Sequence, residues 1–375
     1  MPTNKRRDLL GADSSAPRLV HLSESRSDPA WDDFVASAPG GHHVQTSTWA
    51  EVKASLGWEA VRVAITDASG VVAGAQILAR RVPVLGRVGY LDKGPLAPPD
   101  DPALIDLVLD AVDTAVRRRR IRLLIVQPPA GHSLLVERLG QRGFGASYVK
   151  AALGATVVVD LDRDLDEILA AMKRKTRYNI RKGLRSDLTI RTGEQADVAV
   201  FHRLLEETSR RQGFECTPLS SLEDMYRLMA PGGNLELLIA ELDGKPLAGI
   251  INIAFADSVI YKRGAWSGLR GDLHPNETLH WEAMRRAKDR GFRYYDFDGI
   301  ERAAAEAALA DEPLPAKTLQ SVNRFKLGFG GEVVLLPAAH SYLYDPLLRW
   351  GHDTVYPRLA GVRFVKRAVR RFRTH

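Results

Sequence analysis

Two stretches of this 375-residue chain copy each other in outline. Ala64-Ile65-Thr66-Asp67-Ala68-Ser69-Gly70-Val71-Val72-Ala73-Gly74 matches Ala240-Glu241-Leu242-Asp243-Gly244-Lys245-Pro246-Leu247-Ala248-Gly249, with one residue of slippage. In both, a polar turn leads into a strand-like run with Ala-Gly near its start. Further on, Ala115 to Leu124 matches Ala287 to Tyr295 as helix, basic end and strand. The separation between matching residues is nearly the same for both pairs. Two elements held at one spacing indicate a duplicated unit. The fold class that follows is α/β (α+β), with two tandem units. Each is a mostly antiparallel meander followed by helix and strand.

The chain divides accordingly. Residues 1–17 read as disordered. Residues 18–161, joined by the tail 337–375, form the first unit, and 162–336 form the second. The first unit opens with short helices (Trp31 to Ser37, Ser47 to Leu56), and Thr46 or Ser47 is a natural cap for the second of them. The strand Ala155 to Leu161 closes it. In the second unit, Leu165, Ile168, Leu169, Met172, Ile180 and Leu184 mark one amphipathic helix. Asn276 is expected to cap the helix that follows it, and Glu332 to Leu336 is the last strand before the tail.

Charge narrows the function. The formal net charge is +7, which favours acidic partners such as nucleic acid, anionic lipid or phosphorylated substrates. Lys173, Arg174, Lys175, Arg177, Arg181, Lys182 and Arg185 are clustered without an intervening acid. A second basic run, Arg358 to Arg373, is interleaved with apolar residues and reads as an amphipathic helix that could lie on an anionic membrane. Hydrophobic residues make up 45% of the chain and charged residues 26%, which suits a globular protein with a sizeable core. No apolar run is long enough to span a bilayer, and no signal-peptide core follows Lys5-Arg6-Arg7. The single cysteine, Cys216, excludes an internal disulfide. A cytoplasmic location is the expectation, with peripheral contact at the inner face of the membrane.

The richest stretch for chemistry is Val322-Asn323-Arg324-Phe325-Lys326-Leu327-Gly328-Phe329-Gly330-Gly331. Tyr294-Tyr295-Asp296-Phe297-Asp298-Gly299-Ile300 precedes it and reads as a strand ending in an acidic turn. A lysine among glycines and aromatics can face a cleft, because glycine lets a ligand approach the backbone. Asp298 at the strand end could orient an amine or accept its proton. Asp92, in Tyr90-Leu91-Asp92-Lys93-Gly94-Pro95, has the same two readings, catalytic or turn-forming. Tyr261, Tyr294 and Tyr295 could line a cleft or sit in the core. His42-His43 lacks the partner spacing of a zinc site and reads as a loop. No Walker-type or Rossmann glycine pattern occurs.

A meander followed by helix and strand resembles the acetyltransferase-like (GNAT) fold. Two such copies ending in Phe325-Lys326-Leu327-Gly328-Phe329-Gly330-Gly331 resemble the Fem family of aminoacyl-tRNA-dependent peptidyltransferases. Gln45-Thr46-Ser47-Thr48-Trp49-Ala50-Glu51-Val52-Lys53 with Gly57-Trp58 is similar to that family's opening signature. Met172 to Lys182 is similar to its basic helix, and Thr208 with Arg211-Gln212-Gly213-Phe214 to the segment after it. The long helical hairpin of larger members is missing, so the chain looks like a compact form. Lys93 stands where the family pattern leads one to expect arginine.

The resemblance implies transfer of an amino acid from aminoacyl-tRNA to an amine, most often on the stem peptide of a peptidoglycan precursor. A small amine in a specialised pathway is the alternative acceptor. The ester is already activated, so no cofactor is expected, and the enzyme has to align reactants and stabilise an oxyanion. Lys326 would serve the oxyanion and Phe325 would stack on the terminal nucleotide. Lys53 and Arg211 would hold the diphosphate of the acceptor, with Tyr261 and Tyr90 nearby. Lys173, Lys175, Arg177 and Arg181 would follow tRNA phosphates. An acyl-CoA-dependent transferase is the competing enzyme reading, but the glycine-rich pyrophosphate turn is absent from both copies. A non-catalytic nucleic-acid or membrane binder is the third.

Overall fold

The computed structural model describes residues 17–83, 85–147, 153–316, 322–346 and 349. Residues 1–16 of the expected disordered start (1–17) and the basic run from Arg358 lie outside the described residues.

The first half runs β1 (Leu19–Ser23), α1 (Pro29–Ser37), α2 (Ser47–Ala54), β2 (Glu59–Asp67), β3 (Gly70–Val82), β4 (Gly86–Asp92), α3 (Pro102–Arg118), β5 (Ile121–Gln127), α4 (Ser133–Gln141) and β6 (Gly145–Ala146). The second opens with β7 (Ala155–Asp160), α5 (Leu165–Ala171), α6 (Arg174–Leu184), β8 (Thr189–Thr192), α7 (Asp197–Gln212) and α8 (Leu219–Met229). It continues through β9 (Leu235–Leu242), β10 (Lys245–Phe255), β11 (Ser258–Trp266), α9 (Pro275–Asp289), β12 (Tyr294–Asp296), α10 (Arg302–Leu309) and α11 (Val322–Leu327). β13 (Glu332–Leu335) and β14 (His340–Leu343) follow.

Among the described residues two seven-stranded sheets result, ordered β1-β2-β3-β4-β5-β14-β6 and β8-β9-β10-β11-β12-β7-β13. Written this way, they are the same sheet twice. In each, one parallel pair interrupts the antiparallel meander: β4 with β5, and β11 with β12. The sixth place in each sheet belongs to a strand from the neighbouring stretch of chain. β7 pairs with β12 and β13, while β14 pairs with β5 and β6. The first sheet thus takes its sixth strand from beyond the second unit, whereas β7 opens its own sheet. This corrects the boundary at residue 161, because Ala155–Asp160 belongs to the second sheet. After residue 336, β14 brings the chain back to the first sheet.

Local sequence explains the elements. Asp101 caps α3 by accepting the Leu104 N–H at 2.8 Å, and Pro102 stands at the first helical position. The face of α3 carrying Leu104, Ile105, Val108, Val112, Ala115 and Val116 is buried in the core of the first unit. Each such side chain taken fully out of water is worth roughly 1.5–3 kcal/mol. A second core fills one face of the second sheet under α9, with Leu279, Met284, Tyr295 and Phe297 at its centre. A third spans the two units. Trp49 and Val52 of α2 and Leu78 of β3 pack there with Phe201 of α7, Met225 of α8 and Leu237 of β9.

Two local expectations are corrected. The amphipathic stretch 165–184 is two helices, because Met172 and Lys173 are extended (ψ 155° and 144°). α9 begins at Pro275 with His274 as its cap, so Asn276 lies inside the first turn. α8 and α10 are additions to the expected elements.

Candidate active site

The opening motif builds the first wall. Gln45 ends a single 3-10 turn, His43–Gln45. Its amide NH2 donates to the Asp92 carbonyl at 2.6 Å and the Gln76 carbonyl at 3.2 Å, and its oxygen accepts the Gln76 N–H at 2.8 Å. One side chain therefore ties β3 to the end of β4 and fixes Asp92 and Lys93. Thr46 caps α2 by accepting the Trp49 N–H at 3.1 Å. That sets the buried Trp49 ring at the junction of the units, with the Lys53 ammonium 5.0 Å from its centroid.

The second wall comes from β11 and the turn after β12. Lys262 reaches the same Trp49 ring at 4.8 Å and pairs with the Asp298 carboxylate at 3.2 Å. Asp298 sits at φ 45°, and its N–H is held by the Asp296 carboxylate at 2.8 Å. Thr156 of β7 donates to that same Asp296 carboxylate. Lys93 from the first unit bonds His42 at 3.2 Å. His43 stacks edge-on against Trp49 at 4.9 Å, and both of its ring nitrogens are buried without a hydrogen-bond partner.

The electrostatics follow from this crowding. Burial pushes the Lys53 ammonium down to about 7, helped by Lys262 and Arg263. Burial alone would raise the Asp298 carboxyl, but Lys262, Lys93, His43 and Lys326 hold it well below the usual carboxylate range. Asp92 and Asp296 go the other way, raised chiefly by burial. Burial, with the neighbouring lysines, pushes His42 and His43 well below the ordinary histidine value.

Lys326 does not face a cleft as an unattached cation. It is buried, and its ammonium donates to the carbonyls of Phe297 (2.6 Å), Gly299 (2.7 Å) and Asp298 (3.3 Å). It lies 5.3 Å from the Tyr261 ring, and burial brings it down to about 8. Its geometry is that of a clamp on the acidic turn. The glycines after it also serve protein contacts. A Cβ on Gly330 (φ +72°) would run into the Ala171 carbonyl, and one on Gly331 would meet the Val158 carbonyl at 2.5 Å. They admit the α5–α6 junction and β7 rather than a ligand.

Other expected residues are spread more widely. Phe325 is half-buried against His280 and Phe329, in the core. Tyr261 is half-buried against His280 and Lys326, and Tyr90 is half-buried beside Asp92. Tyr295 is fully buried and bonded to His280 at 2.8 Å. Arg211 is exposed at the end of α7, where it reaches the Trp266 carbonyl and stacks 5.2 Å from the Trp266 ring. Its contacts are there rather than with Lys53. On α6, Lys173, Lys175 and Arg181 are exposed, but Arg177 donates to the Ala170 (2.8 Å) and Met172 carbonyls and closes the end of α5.

Sequence reasoning missed Lys262, Lys93 and His43. A signal existed for Lys262: it interrupts the apolar run of β11 beside Tyr261. Among the described residues, no group of acids, histidines and cysteine has the arrangement of a metal site, and no helix is long and apolar enough to cross a membrane.

Comparison with known proteins follows the same division of the chain. The FemAB family model matches residues 27–139 and the acetyltransferase (GNAT) domain model residues 170–306. Lipid II:glycine glycyltransferase of Staphylococcus saprophyticus is 22% identical over 329 residues, covering 84% of this chain and 74% of that protein. The Staphylococcus aureus protein of the same name is 26% identical over 234 residues, 59% of this chain and 55% of the relative. The chain thus spans about three quarters and about half of these two relatives. The crystal structure of FemX superposes with a TM-score of 0.76 at 19% identity, covering 90% of this chain and 99% of that one. The fold is a tandem acetyltransferase-like pair.

Proposed function

Starting from its membership of the FemAB family, we propose that this chain moves an amino acid from aminoacyl-tRNA to an amine on a peptidoglycan precursor. A peptide bond forms, and the acceptor is linked to a nucleotide or a lipid through a diphosphate. The observation that carries this reading is the meeting of Lys53 from one unit and Lys262 from the other on the Trp49 ring, with Asp298 paired to Lys262 and acted on by Lys93 of the first unit. Three ammonium groups at a sheet junction suit a diphosphate, and a carboxylate among them suits the amine that must lose a proton.

The chemistry asked of the site is modest. The acceptor nitrogen attacks the ester carbonyl, and the positive field of the lysine cluster favours the oxyanion. Lys326 acts one step removed, as a positioning residue that holds the backbone on which Asp298 is carried. Lys53 takes the diphosphate together with Lys262, and Arg211 is assigned to the outer part of the acceptor or the tRNA. The exposed face of α6, with Lys173, Arg174, Lys175, Arg181 and Arg185, follows tRNA phosphates. A charged-tRNA donor implies a reaction on the cytoplasmic side of the membrane.

The test is reconstitution of the purified chain with pools of charged tRNA and nucleotide- or lipid-linked precursor. Amino-acid transfer abolished by ribonuclease is the expected result. Ribonuclease-insensitive transfer from acyl-CoA overturns the reading. Transfer to small amines but to neither precursor moves the acceptor to a specialised pathway.

A further inference from the structure

The site contains a contradiction that the proposed function leaves open. Asp298 is the carboxylate assigned above to take a proton from the acceptor, yet an ammonium holds it. Lys262 lies 3.2 Å from its carboxylate, and both side chains are largely shielded, at 19% and 11% exposure. A carboxylate locked in such a pair is a weak base. Lys262 also has a second allegiance: its ammonium stands 4.8 Å from the Trp49 ring, which carries Lys53 at 5.0 Å. Two ammonium groups against one ring repel each other unless anions compensate them. The acids that act on this cluster are Asp92, Asp296 and Asp298, against Lys53, Lys93, Lys262, Lys326 and Arg263. The cations are in excess, so an incoming dianion competes for Lys262.

We infer that Lys262 is an exchangeable partner that holds Asp298 until the acceptor's anionic group binds, then turns to that group and releases the carboxylate. This rests on the proposed transfer reaction and adds to it a positioning residue that links acceptor binding to proton transfer. The step balances. The amine lone pair forms the C–N bond to the ester carbonyl carbon, and the C–O bond to the tRNA ribose breaks. Asp298 takes one N–H proton and passes it to the departing ribose oxygen, returning to the carboxylate. With no acceptor bound, Asp298 stays paired, water is not activated, and the aminoacyl ester is spared. Lys93, His43, Lys326 and Asp296 also act on Asp298, and they remain in place when Lys262 turns away.

The experiment compares the wild-type chain with Lys262→Met, which keeps an unbranched stem on Trp49 and removes the charge. Three quantities are measured: KM for the precursor, the pH dependence of kcat, and hydrolysis of aminoacyl-tRNA without acceptor. A charge-assisted hydrogen bond is worth roughly a 10- to 100-fold change, so KM rises by about that factor. Hydrolysis without acceptor increases about tenfold or more on the same scale, and the acidic limb of kcat shifts to higher pH. Both gains disappear in Lys262→Met with Asp298→Asn. A raised KM with unchanged hydrolysis and unchanged acidic limb reduces Lys262 to a binding residue and overturns the inference. Thermal melting, with Lys262→Gln as a second variant, separates these outcomes from misfolding. Failure of the wild-type chain to transfer at all overturns the reaction itself, and this inference with it.

Discussion

The Asp298 carboxylate and the Lys262 ammonium meet at 3.2 Å between two parallel neighbours, Lys262 on β11 and Asp298 just past the end of β12. The pair sits beneath Trp49, which comes from the other unit. Replacing Asp298 by Asn keeps the shape of the turn and removes the base. Transfer is expected to fall by a factor on the order of 10²–10⁴ in single-turnover rate, while acceptor KM falls because Lys262 is no longer shared with a carboxylate.

Lys326 is expected to matter for stability as well as rate. Lys326→Met leaves the carbonyls of Phe297 and Gly299 without their buried donor. Loss of such a donor costs roughly 1–3 kcal/mol. The variant therefore has a lower Tm than wild type, and Lys326→Met is slower mainly through kcat. A variant with wild-type Tm and normal denaturant midpoint would remove the clamp.

Lys53 gives acceptor binding a pH dependence. Its ammonium is held near 7 in the free chain, so the charged form that grips an anion is lost as pH rises through about 7. Acceptor KM should rise between about pH 6.5 and 8.5, by up to roughly tenfold per unit above 7. Lys53→Arg, which stays charged, should flatten that dependence if the guanidinium fits. Isothermal titration across this range reads the effect directly.

The outer face of α6 predicts a salt effect. Arg174, Arg181 and Arg185 are exposed, whereas Arg177 is engaged by backbone carbonyls. Changing the first three to Gln should weaken tRNA binding. The slope of log affinity against log salt should become shallower by roughly 0.7–0.9 for each phosphate that is no longer neutralised. Arg177→Gln should instead lower Tm, because it opens the α5–α6 junction.

His280 is expected to make the fold acid-sensitive. It is buried, bonded to the Tyr295 hydroxyl at 2.8 Å, and burial brings it from 6.5 to about 3. Its folded-state value is depressed, so the stabilising neutral form prevails above the unfolded value and is lost as pH falls below it. Between about pH 7 and 5 this one group removes about 2 kcal/mol. His280→Gln should show a shallower fall of Tm over that interval.

The fold is legible in the sequence because its signals are local and repeated. Alternating runs joined by Asp67-Ala68-Ser69-Gly70 and Asp243-Gly244 mark strands wherever they occur. The placement of β7 and β14 is only half legible, since strand periodicity marks a strand without saying which sheet it joins. The site is harder to read for the same reason. Gln45, Trp49 and Lys53 belong to a recognisable stretch, and Asp298 ends a strand. Lys262 and His43 acquire their meaning only when two units place them on one tryptophan. Lys326 stands out by its glycines. Those glycines accommodate the Ala171 and Val158 carbonyls, a packing demand that leaves the same mark in sequence as a ligand loop.

The return of β14 to the first sheet also sets an order of events on the ribosome. In the finished first sheet, β14 lies between β5 and β6, although nearly the whole second unit separates it from them in the chain. A nascent chain that has emerged only through β6 therefore exposes the open edge of β5, and it must keep that edge from pairing wrongly until nearly all of the second unit has been made. β7, by contrast, waits at the start of its own sheet for partners that follow it. Synthesis from the N-terminus thus completes the second sheet first, and the first sheet closes last, when β14 takes its place between β5 and β6.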